Sequence, residues 1–172
     1  MAGSDVSRWI QRFAGFVPAG GRVLDVACGG GRHTRFFLER GHPVTVVDRD
    51  TSGVKDLQDN PGVEILEYDL EAGPWPFVGR AFQGVVVTNY LWRPILPDIV
   101  AAVAPGGALL YDTFARGQEQ FGRPHNPDFL LTPGELVDAV RGALRVAAYE
   151  DLIVEEPEPR AVQRIAARRM TE

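Results

Sequence analysis

The stretch VLDVACGGGRHT, which begins at Val23, places an acidic side chain shortly before three consecutive glycines. Glycines 29–31 can adopt positive φ angles, and they present no side chain to a ligand that approaches the turn. Such a turn either holds a nucleotide or lets a strand turn tightly into a helix. Two acids bear on this choice, because Asp25 precedes the glycines and Asp48 follows them along the chain.

The spacing of the glycines does not match a dinucleotide-binding turn. That turn reads G-x-G-x-x-G, and its third glycine lets the helix pack closely on the strand. Counted from Gly29 the third position is Thr34, and counted from Ala27 it is Arg32. The carboxylate of Asp25 would repel a pyrophosphate but suits a ligand with a positive centre. S-adenosylmethionine has an ammonium and a sulfonium, lacks phosphate, and carries a carboxylate that N–H groups at a helix start can bind.

The elements that must position these residues alternate between strand and helix. The strand patterns are RVLDVA, PVTVVD, GVEILEYD, QGVVVTNY and GGALLYDTF, followed by LRVAAYEDLIVEE and AVQRIAARRM, which EPEPR joins as a hairpin. Helices are predicted after most strands, with caps at Ser4 or Asp5, at Thr51 or Ser52, and at Thr132. We therefore expect an α/β fold, a Rossmann-like three-layer sandwich whose seven-stranded sheet is mostly parallel with an antiparallel C-terminal hairpin.

Ligands of such sheets bind beyond the carboxyl ends of the strands. This rule brings residues 25–31 together with Asp48, Asp69, Asn89 and Asp112 around one crevice. Residues 1–172 are expected to form one domain, in which residues 1–20 supply an N-terminal helix and residues 115–131 a loop on the substrate side. Trp9 and Phe13 of that helix are interpreted as core residues or as a lid.

Composition narrows the classes of function. The 172 residues carry a formal net charge of -5, which argues against a nucleic-acid or anionic-membrane partner, since such a partner needs a basic face. No apolar run approaches the roughly 20 residues of a membrane helix, and the start of the chain is polar and aromatic. We expect a cytoplasmic protein. The lone cysteine, Cys28, excludes an internal disulfide and a multi-cysteine metal site, and no metal is expected. It is either a small residue in a tight turn or, less simply, a nucleophile.

Four motifs in order resemble the class I S-adenosylmethionine-dependent methyltransferases. VLDVACGGGRHT resembles their first motif, VTVVDRD the strand that ends in the ribose-binding acid, EYDLE the adenine-side motif, and VAPGGALLYDTF the turn and strand that close the substrate side. Within that class, ACGGGRHTRFFLERGHPVTVVDRD and FGRPHNPDFLLTPGEL resemble small bacterial methyltransferases of the tellurite-resistance type. The N-P-P-Y signature of enzymes that methylate amide or exocyclic nitrogens is replaced by Asn89-Tyr90-Leu91-Trp92, which argues against nucleic-acid bases as acceptors.

The resemblance implies S-adenosylmethionine as cofactor and S-adenosylhomocysteine as product. The cofactor-binding residues that it implies are Asp25, Ala27, Cys28, Gly29, Gly31, His33, Asp48, Arg49, Asp69, Leu70 and Asn89. Simpler interpretations stay open for four of them. Asp48 could only cap a helix, Asp25 could orient the amides of the loop, and Asp69 could only turn the chain. His33 could cap or pack the helix start rather than act as a base.

The acceptor side of the crevice is predicted from Tyr90, Arg93 and His125. Arg93 follows the fourth strand beside Tyr90, and the loop ARGQEQFGRPHNPDFLL adds Arg116, Arg123, His125 and Asn126. Converging guanidiniums suit a small anionic acceptor, because their fork matches planar oxyanions. The alternative is that these arginines are solvated or pair with Glu119 and Asp128 to hold the loop. Tyr111, inside its strand, is interpreted as a packing residue.

The predicted function is methyl transfer to a small-molecule acceptor, possibly anionic. The sulfonium already has a good leaving group, so the protein must mainly align the acceptor and exclude water. A general base is needed only if the acceptor has to lose a proton. A non-catalytic S-adenosylmethionine-binding protein, a nicotinamide-dependent oxidoreductase and a polyamine synthase remain as alternatives. The sequence leaves the oligomeric state open.

Overall fold

A seven-stranded sheet organises the protein in a computed structural model that describes residues 5–172. The strands are β1 (Val23–Val26), β2 (Val44–Asp48), β3 (Val63–Glu67), β4 (Phe82–Thr88), β5 (Val103–Phe114), β6 (Arg145–Val154) and β7 (Arg160–Arg168). Their order is β3-β2-β1-β4-β5-β7-β6. Strands β1 to β5 pair in parallel, and β7 is antiparallel to both β5 and β6. The predicted α/β sheet with an antiparallel C-terminal hairpin is confirmed.

Within residues 5–172, four α-helices and several 3-10 segments accompany the strands. The helices are α1 (Arg8–Phe13), α2 (Arg32–Glu39), α3 (Leu96–Ala101) and α4 (Glu135–Val140). The predicted helix after β2 is a 3-10 segment, Ser52–Leu57, rather than an α-helix. Gly53 in this segment passes so close to the glycine loop that a Cβ there would lie 2.7 Å from the Gly29 carbonyl oxygen. Glycine at position 53 therefore allows the segment to lie against the loop that precedes α2.

Two predicted helix caps are displaced along the chain. Helix α1 begins after Ser7, whose hydroxyl accepts a hydrogen bond from the Ile10 N–H at 3.3 Å. Asp5 precedes this cap, and Ser4 lies outside the described residues. Helix α4 begins after Gly134 and not after Thr132, because Gly134 adopts a φ of 77° and interrupts the helical backbone there.

Both faces of the sheet are covered by helices, as the three-layer prediction requires. One apolar cluster joins α1 and α2 to the sheet and includes Trp9, Ile10 and Phe37. The opposite cluster joins α3 and α4 to it through Ile99 and Leu136. Trp9 and Phe13 are buried, and the Trp9 indole N–H donates to the Ile165 carbonyl at 3.1 Å, so both belong to the core. No helix within residues 5–172 is long and apolar enough to cross a bilayer.

Candidate functional site

A cavity of about 640 Å³ opens beyond the carboxyl ends of the parallel strands. Its two ends differ in charge and polarity. The end that follows β2 and β3 is lined by Asp48, Arg49, Tyr68, Asp69, Leu70 and Glu71. The end beside β5 is lined by Thr113, Phe114, Arg123, Pro124 and Phe129. Ala27, Asn89, Tyr90 and Leu91 lie along the ends of β1 and β4 and also line the cavity.

The glycine loop and Asp48 hold each other in place. The Gly29 N–H donates to Asp48 Oδ2 at 2.9 Å, and the Asp50 N–H donates to Asp48 Oδ1 at 3.0 Å. Because each carboxylate oxygen has two lone pairs, Asp48 can still accept further hydrogen bonds from a ligand. Gly29 has a φ of 53° and Gly31, which precedes α2, a φ of 82°. Glycine suits these two positions because the backbone there adopts positive φ angles, which other residues rarely adopt.

Two residues at strand ends adopt the left-handed conformation without being glycine. Ala27, after β1, has a φ of 55°, and Asn89, after β4, has a φ of 52°. Asparagine tolerates this region better than alanine does, and such strained residues cluster at binding sites. Both residues line the cavity, in agreement with their place in the predicted set.

Asp69 turns the chain and also lines the cavity, with Leu70 beside it. Asp69 Oδ1 accepts the Glu71 N–H at 2.9 Å, which is the chain-turning role that the sequence left open. Asp69 also lines the cavity, together with the buried Leu70 and the exposed Arg49. The side chain can therefore turn the chain and face a ligand at the same time.

Asp25 and Cys28 are buried and do not line the cavity. Asp25 accepts the Thr34 hydroxyl at 2.7 Å and also a backbone hydrogen bond from Thr34. Burial raises the pKa of Asp25 to about 7. Its position under the start of α2 favours the alternative in which it orders the loop and helix start. Burial raises the pKa of the Cys28 thiol to about 12, so the thiol stays protonated and is not a nucleophile.

His33 is also buried and does not line the cavity. The Ser7 N–H donates to His33 Nε2 at 3.0 Å, and His33 Nδ1 lies 3.4 Å from the Thr88 hydroxyl oxygen. Burial lowers the pKa of His33 to about 4, so the ring is neutral at physiological pH. The ring joins the segment before α1 to β4. This placement corrects the predicted contact between His33 and the cofactor, since its acceptor nitrogen is already used.

Asp112, predicted at the crevice, is also used inside the protein. It accepts the Ser7 hydroxyl at 2.8 Å and pairs with Arg164 of β7 at 3.2 Å. Arg164 in turn pairs with Glu150 of β6 at 3.2 Å. This buried chain of contacts attaches the start of α1 to β5, β7 and β6.

Arg93 does not face the cavity, contrary to its predicted catalytic position. Its guanidinium forms two hydrogen bonds with the Glu135 carboxylate, at 2.7 and 3.0 Å. It also donates to the carbonyl oxygens of Asp128 and Leu130, at 2.9 and 2.7 Å. Through these four hydrogen bonds Arg93 connects the loop of residues 115–131 to α4. The alternative of a loop-holding arginine is the one that the structure supports for Arg93.

The other acceptor-side residues divide between the cavity and the solvent. His125 and Arg116 are exposed and are not among the lining residues, and Asn126 caps a local turn by accepting the Asp128 N–H at 2.9 Å. Tyr90 lines the cavity, and burial raises the pKa of its phenol, which therefore acts as a hydrogen-bond donor. Arg123 also lines it.

A buried glutamine supports the backbone at Arg123. The Gln118 side-chain amide donates to the Arg123 carbonyl at 3.1 Å and accepts the Ala161 N–H of β7 at 3.0 Å. The Tyr111 hydroxyl donates in a similar way to the Tyr90 carbonyl at 2.8 Å, which supports its interpretation as a packing residue. Sequence reasoning did not assign Gln118, because its partners lie on other elements.

Comparisons with known proteins identify the fold and the domain. Residues 23–107 match a family model described as a methyltransferase domain. The curated protein malonyl-[acyl-carrier protein] O-methyltransferase of Salmonella typhimurium is 31% identical over 137 residues, covering 70% of this chain and 53% of that protein. The protein of the same name from Serratia marcescens is 33% identical over 109 residues, covering 59% and 41%. The chain thus spans about half the length of the curated relatives that it matches.

Solved structures show the same fold over nearly the whole chain. TehB from Haemophilus influenzae superposes with a TM-score of 0.71 at 17% identity, covering 94% of this chain and 61% of TehB. The 1,6-didemethyltoxoflavin-N1-methyltransferase of Burkholderia thailandensis, solved with S-adenosylhomocysteine, gives 0.70 at 21% identity and covers 94% and 76%. Residues 23–107 therefore carry the methyltransferase domain, and the whole fold is that of the class I S-adenosylmethionine-dependent methyltransferases. S-adenosylmethionine is the cofactor of this class, and the resemblance seen in the sequence is confirmed.

The cavity has lining residues that the sequence analysis did not assign. Tyr68 and Glu71 belong to the adenine-side motif EYDLE, and Thr113 and Phe114 end β5. The rule that ligands lie beyond strand ends applies to these four positions and could have located them. Pro124 and Phe129 carry no such signal, because their place depends on how the long loop folds back.

Replacing Arg93 with methionine should loosen the loop without removing a cavity residue. The loss of its contacts with Glu135 and two carbonyls is expected to lower the free energy of unfolding by about 1–2 kcal/mol, a value reduced by partial exposure of the guanidinium. Urea unfolding measures this change. Arg141→Met is the matched control, since the Arg141–Asp138 pair is 71% and 70% exposed and should contribute little. Equal stability of both variants would show that Arg93 does not hold the loop.

The buried carboxyl of Asp25 predicts a pH dependence of stability. Its folded-state pKa of about 7 exceeds the ordinary value of 3.8, so between these values the folded state binds more protons than the unfolded state. The contribution of Asp25 is therefore most favourable below about pH 4 and declines as the pH rises towards 7. Asp25→Asn removes this titration and leaves all other groups in place. Unfolding measured at both ends of the window should show the variant gaining on the parent as pH rises, and a constant difference would contradict the assignment.

Proposed function

We propose that this methyltransferase domain transfers a methyl group from S-adenosylmethionine to a small anionic molecule. The observation that carries the proposal is the separation of charge within the cavity. Three carboxylates, Asp48, Asp69 and Glu71, line the end beyond β2 and β3 together with one cation, Arg49, so this end carries a net negative charge. Arg123 is the one cation among the described lining residues at the opposite end, beside Phe114 and Phe129. An acidic end suits a cationic cofactor, and a guanidinium among apolar side chains suits an anionic acceptor.

The residues at the acidic end fit the cofactor by their chemistry. Asp48 has lone pairs for the two ribose hydroxyls, and Leu70 with Asp69 offers an apolar surface and an acceptor to the adenine. The glycine loop at the start of α2 leaves open space around Gly29 and Gly30 for the amino-acid portion. The bound cofactor supplies a methyl group on a positively charged sulfur, already activated for transfer. The protein has to align the acceptor with that methyl group and keep water out.

The nature of the acceptor is supported by charge and by the relatives. The net charge of -5 disfavours a nucleic acid, so we propose a small molecule. The curated relatives are named for O-methylation of malonyl-[acyl-carrier protein], which supports transfer to oxygen. Tyr90 lies between the two ends and is positioned to donate a hydrogen bond near the reacting groups.

Titration calorimetry with three ligands tests the cofactor part of this proposal. S-adenosylmethionine and S-adenosylhomocysteine should each bind with one site per chain, whereas NAD should not bind, because the glycine loop lacks the G-x-G-x-x-G spacing of a dinucleotide turn and holds the carboxylate of Asp48 beside it. Binding of NAD alone would contradict the proposal and favour an oxidoreductase. Binding of S-adenosylhomocysteine without methyl release to any acceptor would favour a non-catalytic binding protein.

A further inference from the structure

The acceptor end of the cavity contains no side chain that can remove a proton at neutral pH. The described lining residues include no histidine, lysine or cysteine. The Arg123 side chain offers N–H donors and no acceptor atom for a proton. Tyr90 keeps its proton, since burial raises its pKa. The two histidines that the sequence placed at the crevice do not supply a base at this end. His33 already accepts the Ser7 N–H, and His125 is exposed and does not line the cavity.

The carboxylates of the cavity do not replace such a base. Asp48, Asp69 and Glu71 line the opposite end, beyond β2 and β3. The two oxygens of Asp48 accept N–H groups of Gly29 and Asp50, and Asp69 accepts the Glu71 N–H. These carboxylates thus lie beyond other strands than the one that carries Phe114, and Asp48 and Asp69 are already engaged in holding the local backbone. An acceptor at the Arg123 end must therefore arrive without a proton on its attacking atom.

Resting on the proposed function, we infer that the acceptor is an organic carboxylate and that the product is its methyl ester. Carboxylic acids are ionised at neutral pH without help, whereas amines, phenols and most thiols are protonated. The guanidinium of Arg123 matches the planar carboxylate and would repel an ammonium. Phe114, Pro124 and Phe129 line the same end and favour an acceptor with an apolar body over a bare inorganic oxyanion.

The reaction balances without a proton acceptor. A lone pair of the carboxylate oxygen forms a bond to the methyl carbon while the carbon–sulfur bond breaks and leaves its electron pair on sulfur. The negative charge of the carboxylate and the positive charge of the sulfonium disappear together, giving the ester and neutral S-adenosylhomocysteine. No proton is taken up or released. Apolar side chains beside the reacting groups favour this step, since the charges are neutralised as the bond forms.

Arg123 is the residue that should determine specificity for such an acceptor. Its backbone is held by buried Gln118, which connects the Arg123 carbonyl to the Ala161 N–H of β7. Arg123 is exposed and lines the cavity from a segment whose backbone this glutamine supports. Arg116, on the same loop, is exposed and does not line the cavity, so it provides a matched control.

The experiment incubates the protein with S-adenosylmethionine that carries a tritiated methyl group and measures transfer of the label to a panel of acceptors. The panel contains aryl and alkyl carboxylates, the matching amines, thiols and alcohols or phenols, and selenite. Label should enter carboxylates and leave as volatile methanol on mild alkali treatment, as esters require. Arg123→Met should raise the KM for the best carboxylate by about tenfold or more, with unchanged affinity for S-adenosylhomocysteine. Arg116→Met should behave like the parent.

The outcomes separate this inference from the proposed function. Alkali-stable label on an amine, thiol, phenol or selenite would overturn the carboxylate assignment while the methyltransferase function stood. Binding of S-adenosylhomocysteine without transfer to any carboxylate of the panel would overturn it as well. An unchanged KM in Arg123→Met would remove Arg123 from acceptor recognition. Failure of the parent to bind S-adenosylhomocysteine would overturn both proposals.

Discussion

Replacing Asp48 with alanine should weaken the binding of S-adenosylhomocysteine by tenfold or more. A carboxylate that accepts ribose hydroxyls forms charge-assisted hydrogen bonds worth roughly 1.5–3 kcal/mol each, and each factor of ten in affinity corresponds to about 1.4 kcal/mol. The variant also loses the bond from the Gly29 N–H at 2.9 Å, which holds the glycine loop. Both losses weaken the binding of S-adenosylhomocysteine. Asp48→Asn should be intermediate, because it keeps one acceptor oxygen but loses the charge.

Asp50 provides the matched control for the Asp48 variant. It lies two residues further on, is exposed, and accepts the Ser52 N–H at 3.0 Å outside the cavity lining. Asp50→Ala should bind S-adenosylhomocysteine as the parent does in calorimetry. Unchanged affinity in Asp48→Ala would show that Asp48 only caps the following turn. Equal weakening in both variants would point to a general disturbance of the segment after β2.

Valine at Gly29 should abolish cofactor binding while the domain still unfolds cooperatively. A Cβ at Gly29 meets no atom within 4 Å, so the side chain would project into open space beside the loop that the cofactor approaches. The φ of 53° adds strain of roughly 1–3 kcal/mol. Gly41→Val is the control, because Gly41 has a φ of 86° with equally open surroundings but follows α2 at its far end. It should lose similar stability and keep its affinity for S-adenosylhomocysteine.

Valine at Gly31 should act differently from valine at Gly29. A Cβ there would lie 2.5 Å from Val54 Cγ1 and 2.7 Å from Arg35 Nη1, at a φ of 82°. The flexible arginine can move, but buried Val54 cannot do so cheaply. Gly31→Val should therefore lower the melting temperature more than Gly29→Val does. A melting temperature equal to that of Gly29→Val would show that the loop can shift, and normal binding by both variants would give the glycines a purely structural role.

The sequence predicted the sheet and several of the strand-end residues that line the cavity, because both follow from local patterns. Alternating strands and helices require parallel pairing, and strand ends then bring residues such as Ala27, Asp48, Asp69 and Asn89 to one edge. The positions of these residues depend on their own strands and on the neighbouring turns. No distant partner is needed to place them.

The acceptor side was harder to predict because its residues depend on partners far along the chain. Arg93 pairs with Glu135, 42 residues away, and His33 accepts from Ser7, 26 residues away. From residue type alone, Arg93 and His33 could both take part in catalysis or binding. In the structure each side chain already has a hydrogen-bond partner from a distant part of the chain. Arg123 stays at the cavity because its backbone, and not its guanidinium, is held by Gln118. The specific pairing of long side chains is the part that a periodic pattern does not encode.

The insertion of β7 between β5 and β6 has a consequence for folding during synthesis. Residues 145–154 leave the ribosome before residues 160–168, although β7 is the strand on which β6 pairs. Until β7 emerges, β5 and β6 are both unpaired edges, and β6 exposes Leu152 and Ile153 even in the completed sheet. The nascent chain thus passes through a stage in which it is open to edge-to-edge aggregation. The sheet is completed late, by pairing between strands that lie far apart in the sequence. A chain that stalls on the ribosome before residue 160 lacks β7 and cannot complete the sheet.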